Sequence, residues 1–119
     1  MSARILLVED DPPLAALMRR YLERLGHEVE VCDRGEAAWT RFREAAGGYE
    51  LVIVDLSLPD VPGTELLGRM LDQYPGTRAL VCSGSPAPQA LTGRRGVSVL
   101  EKPFLPAALA ESVEKALAG

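Results

Sequence analysis

Short apolar runs recur five times along this chain, with helix-period segments between them. Ile5-Leu6-Leu7-Val8 and Leu51-Val52-Ile53-Val54 are each four consecutive apolar residues, the pattern of a strand covered on both faces. Val29, Val31 and Cys32 mark a second strand, Ala79-Leu80-Val81-Cys82 a fourth and Val97-Ser98-Val99-Leu100 a fifth. Leu14, Leu17, Met18, Tyr21, Leu22 and Leu25 form one helical stripe that Gly26 closes, with Pro12 and Pro13 tolerated in its first turn. Ala37, Ala38, Trp39, Phe42 and Ala45 predict a second helix ended by Gly47-Gly48, in which Trp39 serves packing. A third runs from Thr64 to Tyr74 with Leu67, Met70, Leu71 and Tyr74 at helical spacing, stopped by Pro75-Gly76. The last covers Leu105 to Leu117, with Leu109, Val113, Ala116 and Leu117 on one face. Strands separated by helices pair in parallel, because a parallel connection needs a crossover of about a dozen residues or more. The predicted class is α/β, a three-layer αβα sandwich. Between Ser83 and Gly96 the helical pattern is broken by Ser85, Pro86, Pro88, Gly93 and Gly96. The fourth helix is therefore expected to be short or irregular, around Ala87 to Thr92.

With 119 residues, the chain has the size of one domain, and a single domain over 1–119 is expected. A formal charge of −4 and a pI near 5.0 argue against nucleic-acid binding, which needs a concentrated basic face. Arg94-Arg95, the one tight basic pair of the second half, reads as a solvated loop. No apolar run approaches the roughly 20 residues that span a bilayer, so no membrane partner is expected and the cytoplasm is the expected compartment. Cys32 and Cys82 end apolar runs and are expected as reduced core residues rather than a disulfide. His27, the only histidine, stands in Leu25-Gly26-His27-Glu28 and reads as a surface turn residue; a phosphohistidine-carrier role does not suit it.

In open parallel sheets, sites form at the carboxyl ends of the strands. The first run is followed by Glu9-Asp10-Asp11, the third by Asp55, the fourth by Ser83-Gly84 and the fifth by Glu101-Lys102-Pro103. Carboxylates from neighbouring strands repel one another, and a divalent cation relieves that repulsion. An all-oxygen set without His or thiolate suits Mg²⁺, Mn²⁺ or Ca²⁺ rather than zinc. A metal beside a carboxylate, a hydroxyl and a lysine suits phosphoryl transfer. Lys102 would neutralise charge on the transferring group, Ser83 would donate to one of its oxygens, and Asp55 would attack as nucleophile.

Leu7-Val8-Glu9-Asp10-Asp11, Val54-Asp55-Leu56-Ser57-Leu58-Pro59-Asp60 with Gly63, Ser83-Gly84 and Lys102-Pro103-Phe104 together resemble the receiver domains of two-component response regulators. The resemblance covers essentially the whole chain and implies a flavodoxin-like (βα)₅ fold with a five-stranded parallel sheet in the order 2-1-3-4-5. It implies Asp55 as phospho-acceptor, served by Lys102 and by Ser83 as the switch hydroxyl. It implies Mg²⁺ (or Mn²⁺) held by Asp10, by Glu9 through water, by Asp55 and by the backbone carbonyl of Ser57. Asp11 is an extra acid and the weaker candidate. The bond from Lys102 to Pro103 is often cis in such domains. The implied partner is a histidine kinase or phosphotransfer protein, and the implied role is a phospho-switch rather than an enzyme.

Three departures stand out. Val99 occupies the position, three before the lysine, where the family usually has Tyr or Phe. The stretch from Ser83 to Lys102 is a few residues short. No output domain is expected within these residues, and Ser83-Gly84-Ser85 with its shortened sequel looks more like receivers attached to hybrid histidine kinases. An aspartyl phosphatase of the haloacid dehalogenase kind would need an Asp where Ser57 stands. A flavodoxin would need a Ser/Thr/Gly-rich phosphate loop where Glu9-Asp10-Asp11 stand, and those acids repel phosphate. The remaining rival is a receiver-like protein-binding scaffold that is not phosphorylated.

Overall fold

The computed structural model describes residues 2–84 and 88–118. Five strands alternate with five helices: β1 (Arg4–Val8), α1 (Pro12–Arg24), β2 (Glu28–Cys32), α2 (Gly35–Ala45), β3 (Leu51–Asp55), α3 (Gly63–Gln73), β4 (Ala79–Ser83), α4 (Gln89–Thr92), β5 (Val97–Glu101) and α5 (Pro106–Ala118). The strands form one parallel sheet in the order β2-β1-β3-β4-β5. The expected sandwich, with its order 2-1-3-4-5, is what the chain adopts.

The apolar runs work as two-sided strands. Successive side chains alternate between faces, so Leu6, Val8, Val52, Val54, Ala79 and Val81 pack with Ala38 and Phe42 of α2 and Leu66, Leu67, Met70 and Leu71 of α3. Ile5, Leu7, Leu51, Ile53, Leu80 and Cys82 face the other way, onto Met18 and Leu22 of α1 and Leu109, Val113 and Ala116 of α5. Full burial of each Val, Leu, Ile or Met side chain among them stabilises the fold by about 1.5–3 kcal/mol. Cys32 packs on one face of the sheet and Cys82 on the other, both as free thiols. Burial pushes the Cys82 thiol up to about 12.

Several sequence expectations need correction. On α1 the buried stripe is Ala15, Met18 and Leu22, while Leu17 is 63% exposed. Leu17 satisfies the apolar spacing from Leu14 but lies on the flank of the face that the sheet covers. Leu25 is the C-cap and is also exposed, so it extends the pattern past the helix end. The last helix begins at Pro106, leaving Leu105 outside it and 75% exposed. His27 is half-buried, and its Nδ1 accepts a hydrogen bond from the Ala3 N–H at 3.1 Å, tying the α1–β2 turn to the start of β1. The fourth helix is one turn long, as its breakers require; Ala87, where the expected segment begins, lies outside the described residues.

Candidate functional site

Parallel strands carry their carboxyl ends to one edge of the sheet, and the last residues of β3 and β4 gather there with those just beyond β1 and β5. Strand pairing continues past the apolar runs. The Glu9 N–H donates to the Cys32 carbonyl at 3.0 Å, Leu56 N–H to Cys82 at 3.2 Å and Lys102 N–H to Ser83 at 2.8 Å. Those bonds hold the first residues after each strand in register, so the polar groups are set by backbone rather than by loop chance.

Asp55 is the last residue of β3 and only 4% exposed; Glu9, directly after β1, is 2% exposed. Asp10 is exposed at the mouth of the site. One carboxylate oxygen from each of Glu9, Asp10 and Asp55 lies within 4.8 Å of the others. Lys102 Nζ donates to Glu9 Oε1 and to Asp55 Oδ2, both at 3.2 Å. Besides Asp55, the acid it was expected to serve, Lys102 thus holds Glu9 as well. The Lys102–Pro103 peptide is cis.

Two acids brought out of water next to one another cannot both ionise freely. Burial, then a hydrogen bond shared with Asp55, pushes the Glu9 carboxyl up to about 7, against the opposing pull of the Asp11 N–H and Lys102. Burial pulls the Lys102 ammonium down, but its bond to Asp55 and the charges of Glu9 and Asp55 outweigh that and raise it. Lys102 thus stays charged, while Glu9 holds its proton more firmly than a free carboxyl does. Three carboxylates and a cation, with no imidazole or thiolate among them, form a donor set suited to a hard divalent ion. Such an ion would favour the ionised Glu9 carboxylate, opposing the burial that raises it.

The remaining predicted residues fall around this centre. Ser83 closes β4 and is 5% exposed. The Ser57 N–H donates to Asp55 Oδ1 at 3.0 Å, which orients the carboxylate. Asp11 is the N-cap residue of α1, and among the described residues its carboxylate is not one of the converging group; its N–H instead donates to Glu9 Oε2 at 3.2 Å. Val99, opposite Val81 in β5, is 37% exposed.

One residue that sequence reasoning quoted only as part of a motif has a defined task. Asp60, in the β3–α3 loop, accepts from the Gly35 N–H at 2.8 Å, the Glu36 N–H at 3.0 Å and its neighbour Val61 at 2.9 Å. The N–H groups of Glu36 and Gly35 hold its carboxyl below the usual range. The only signal in the sequence was an acid placed between Pro59 and Gly63.

Residues 5–114 match the family model described as the response regulator receiver domain. The chain belongs to that family. This receiver domain is 32% identical over 118 residues to the response regulator receiver protein CpdR of Brucella abortus, covering 96% of both chains. It shares 46% identity over 67 residues with the regulatory protein VanRB of Enterococcus faecalis, but spans only 30% of that protein's length. Among solved structures it is similar to the receiver domain of the hybrid histidine kinase CckA, at 32% identity, TM-score 0.84, and coverage of 96% and 98% of the two chains. It is similar also to the response regulator TrrA of Thermotoga maritima in complex with Mg²⁺-BeF, at 27% identity, TM-score 0.84, and coverage of 97% and 99%.

Proposed function

We propose that residues 1–119 form one phospho-acceptor module of a His–Asp phosphorelay, with Asp55 as the residue phosphorylated. The observation that carries this reading is the geometry of Asp55: buried at a strand end, bonded to Lys102, and within 4.8 Å of two further acids. The TrrA structure, solved in complex with Mg²⁺-BeF, supports a divalent ion, Mg²⁺ or Mn²⁺, as ligand of this chain too, and its place would be the three converging acids. Asp10 and Asp55 would hold it directly, Glu9 through water, and Ser57 through its backbone carbonyl; Asp11 stands outside this set. When bound, the ion neutralises charge that builds on the phosphoryl oxygens.

The chain's own groups divide the rest of the work. A carboxylate oxygen of Asp55 attacks phosphorus as the P–N bond of the donor phosphohistidine breaks, and the bonding pair returns to the imidazole nitrogen. Lys102 stays an ammonium and follows the charge onto the transferred group. The Ser83 hydroxyl donates to one of its oxygens. Water later attacks the acyl phosphate and restores Asp55, which makes the module a switch without turnover of an external substrate. Its donor is a histidine kinase or phosphotransfer protein in the cytoplasm. Nucleic acid is not a partner on grounds of charge, and among the described residues no helix is long and apolar enough to cross a membrane.

The exposed Val99, standing where an aromatic ring is usual, favours a second reading, a binding scaffold without phosphorylation. Acetyl phosphate separates the two. The intact chain should gain one phosphoryl group by mass in the presence of Mg²⁺, and Asp55→Asn should gain none. No gain in the intact folded chain with Mg²⁺ in excess, together with unchanged partner binding by Asp55→Ala, would establish the scaffold.

A further inference from the structure

The first N–H groups of α2 have no partner within the helix, and among the described residues the N-cap Arg34 offers no side-chain bond to them. Asp60 supplies both from a different part of the chain, 25 residues from Gly35 and 24 from Glu36. The loop that Asp60 belongs to is the one that begins at Asp55. It is pinned at three places. At its root, the Ser57 N–H bonds Asp55 and the Leu56 N–H bonds Cys82. At its far end, Gly63 N–H bonds the Leu56 carbonyl at 3.1 Å, so close that a Cβ there would stand 2.6 Å from the Asp55 carbonyl oxygen. Its middle is held across the gap to α2 by Asp60 and by the neighbouring Val61, whose Cβ a side chain at Gly35 would meet at 3.1 Å, and against the core by Leu58. Glu36 is fastened in turn, since its carboxylate pairs with Arg69 of α3 at 3.0 Å.

We propose that Asp60 is a positioning residue for the phospho-acceptor site, its carboxylate bridging the loop to α2 and thereby fixing the Ser57 carbonyl and the Asp55 carboxylate in metal-binding register. The inference rests on the reading of Asp55 and Ser57 given above. Asp60 is not one of the converging acids, and its oxygens accept from the Gly35, Glu36 and Val61 N–H groups. It acts through the backbone between residues 57 and 60, too short a span to move at one end while held at the other. Supports of this kind typically cost about tenfold or more in metal affinity when removed.

The test compares the full chain with Asp60→Ala, Asp60→Asn and Val113→Ala. Val113 is buried on the opposite face of the sheet, so its truncation lowers stability without touching the loop. Mg²⁺ binding is measured by calorimetry and phosphorylation by the rate with acetyl phosphate. Asp60→Ala should weaken Mg²⁺ binding roughly tenfold and slow phosphorylation. Asp60→Asn, which keeps one accepting oxygen, should lie between. Val113→Ala should melt earlier yet bind Mg²⁺ as the intact chain does. Equal Mg²⁺ binding by Asp60→Ala and the intact chain would overturn the proposal, as would an equal loss in Val113→Ala. If the intact chain binds Mg²⁺ but takes no phosphoryl group from acetyl phosphate, the result counts against the phospho-acceptor reading alone, and the Mg²⁺ comparison still decides the role of Asp60.

Discussion

Lys102 Nζ stands 3.2 Å from Asp55 Oδ2 and at the same distance from Glu9 Oε1, so one ammonium serves two buried acids from different strands. Removing it leaves two carboxyls facing each other without a cation. Lys102→Met is expected to destabilise the metal-free chain by about 1–3 kcal/mol, less at low pH, where Glu9 holds a proton, and less with Mg²⁺ present. Urea unfolding at two pH values, with and without Mg²⁺, checks this; a loss independent of both would show that Lys102 contributes mainly packing.

The Glu9 carboxyl, raised from 4.5 to about 7, gives a pH dependence with a definite sign. Between those values the folded chain binds more protons than the unfolded one. The stability Glu9 contributes is therefore full below about 4.5 and is lost as pH rises through about 7. Metal binding runs the other way, because it requires the carboxylate. Mg²⁺ should bind more tightly at about pH 8 than at about pH 6, with proton release at the lower pH, and Glu9→Gln should flatten that difference. Calorimetry in buffers of different ionisation enthalpy measures both.

A methyl group at Gly63 would meet Leu56 Cα at 2.5 Å and the Asp55 carbonyl oxygen at 2.6 Å, backbone atoms that cannot turn aside. Gly63→Ala should cost roughly 1–3 kcal/mol and weaken Mg²⁺ binding by displacing the end of β3. Retention of full affinity in that variant would show that the loop can relax without moving Asp55.

Phe42 is fully buried and meets Tyr74 edge-on, ring centroids 5.5 Å apart, with Trp39 stacked at 6.3 Å. Phe42→Ala should lower stability by about 3–5 kcal/mol while leaving Mg²⁺ affinity in the surviving folded fraction unchanged. Chemical denaturation followed by Mg²⁺ titration separates the two effects.

In hydrogen exchange, the amides of Val52, Ile53 and Val54 should open only with global unfolding, whereas those from Leu91 to Arg94 should exchange orders of magnitude faster. A single helical turn cannot sustain protection on its own. Equal protection in the two segments would show that α4 is braced by packing beyond what its length supports.

The features that could be read from the sequence are those written in neighbouring residues. Leu51 to Val54 announces a two-sided strand, and Pro88 with Gly93 announces a truncated helix. The strand-end acids follow from the same reading, because a parallel sheet brings every strand end to one edge. What stayed hidden depends on pairs far apart in the chain. Nothing near Asp60 says that it meets Gly35, and nothing near His27 says that it accepts a bond from Ala3. Leu17 misled for a related reason: periodicity shows which residues share a helix face, but the sheet decides how much of that face it covers. The joint hold of Lys102 on Glu9 and Asp55 lay between these cases, since the strand order brings the three together but does not set the side-chain reach.

β3 and β4 are buried at every position, whereas β5 is buried only at Leu100. Substitutions at Ser98, Val99 and Glu101 therefore carry little folding cost, while almost any change in Leu51 to Val54 carries a large one. Descent can rewrite the β5 border freely and leave the strand-end carboxylates and the lysine between them in place. Related chains sharing one ancestral chemistry can in this way diverge in what they recognise, and Val99 is a position at which such divergence would be seen.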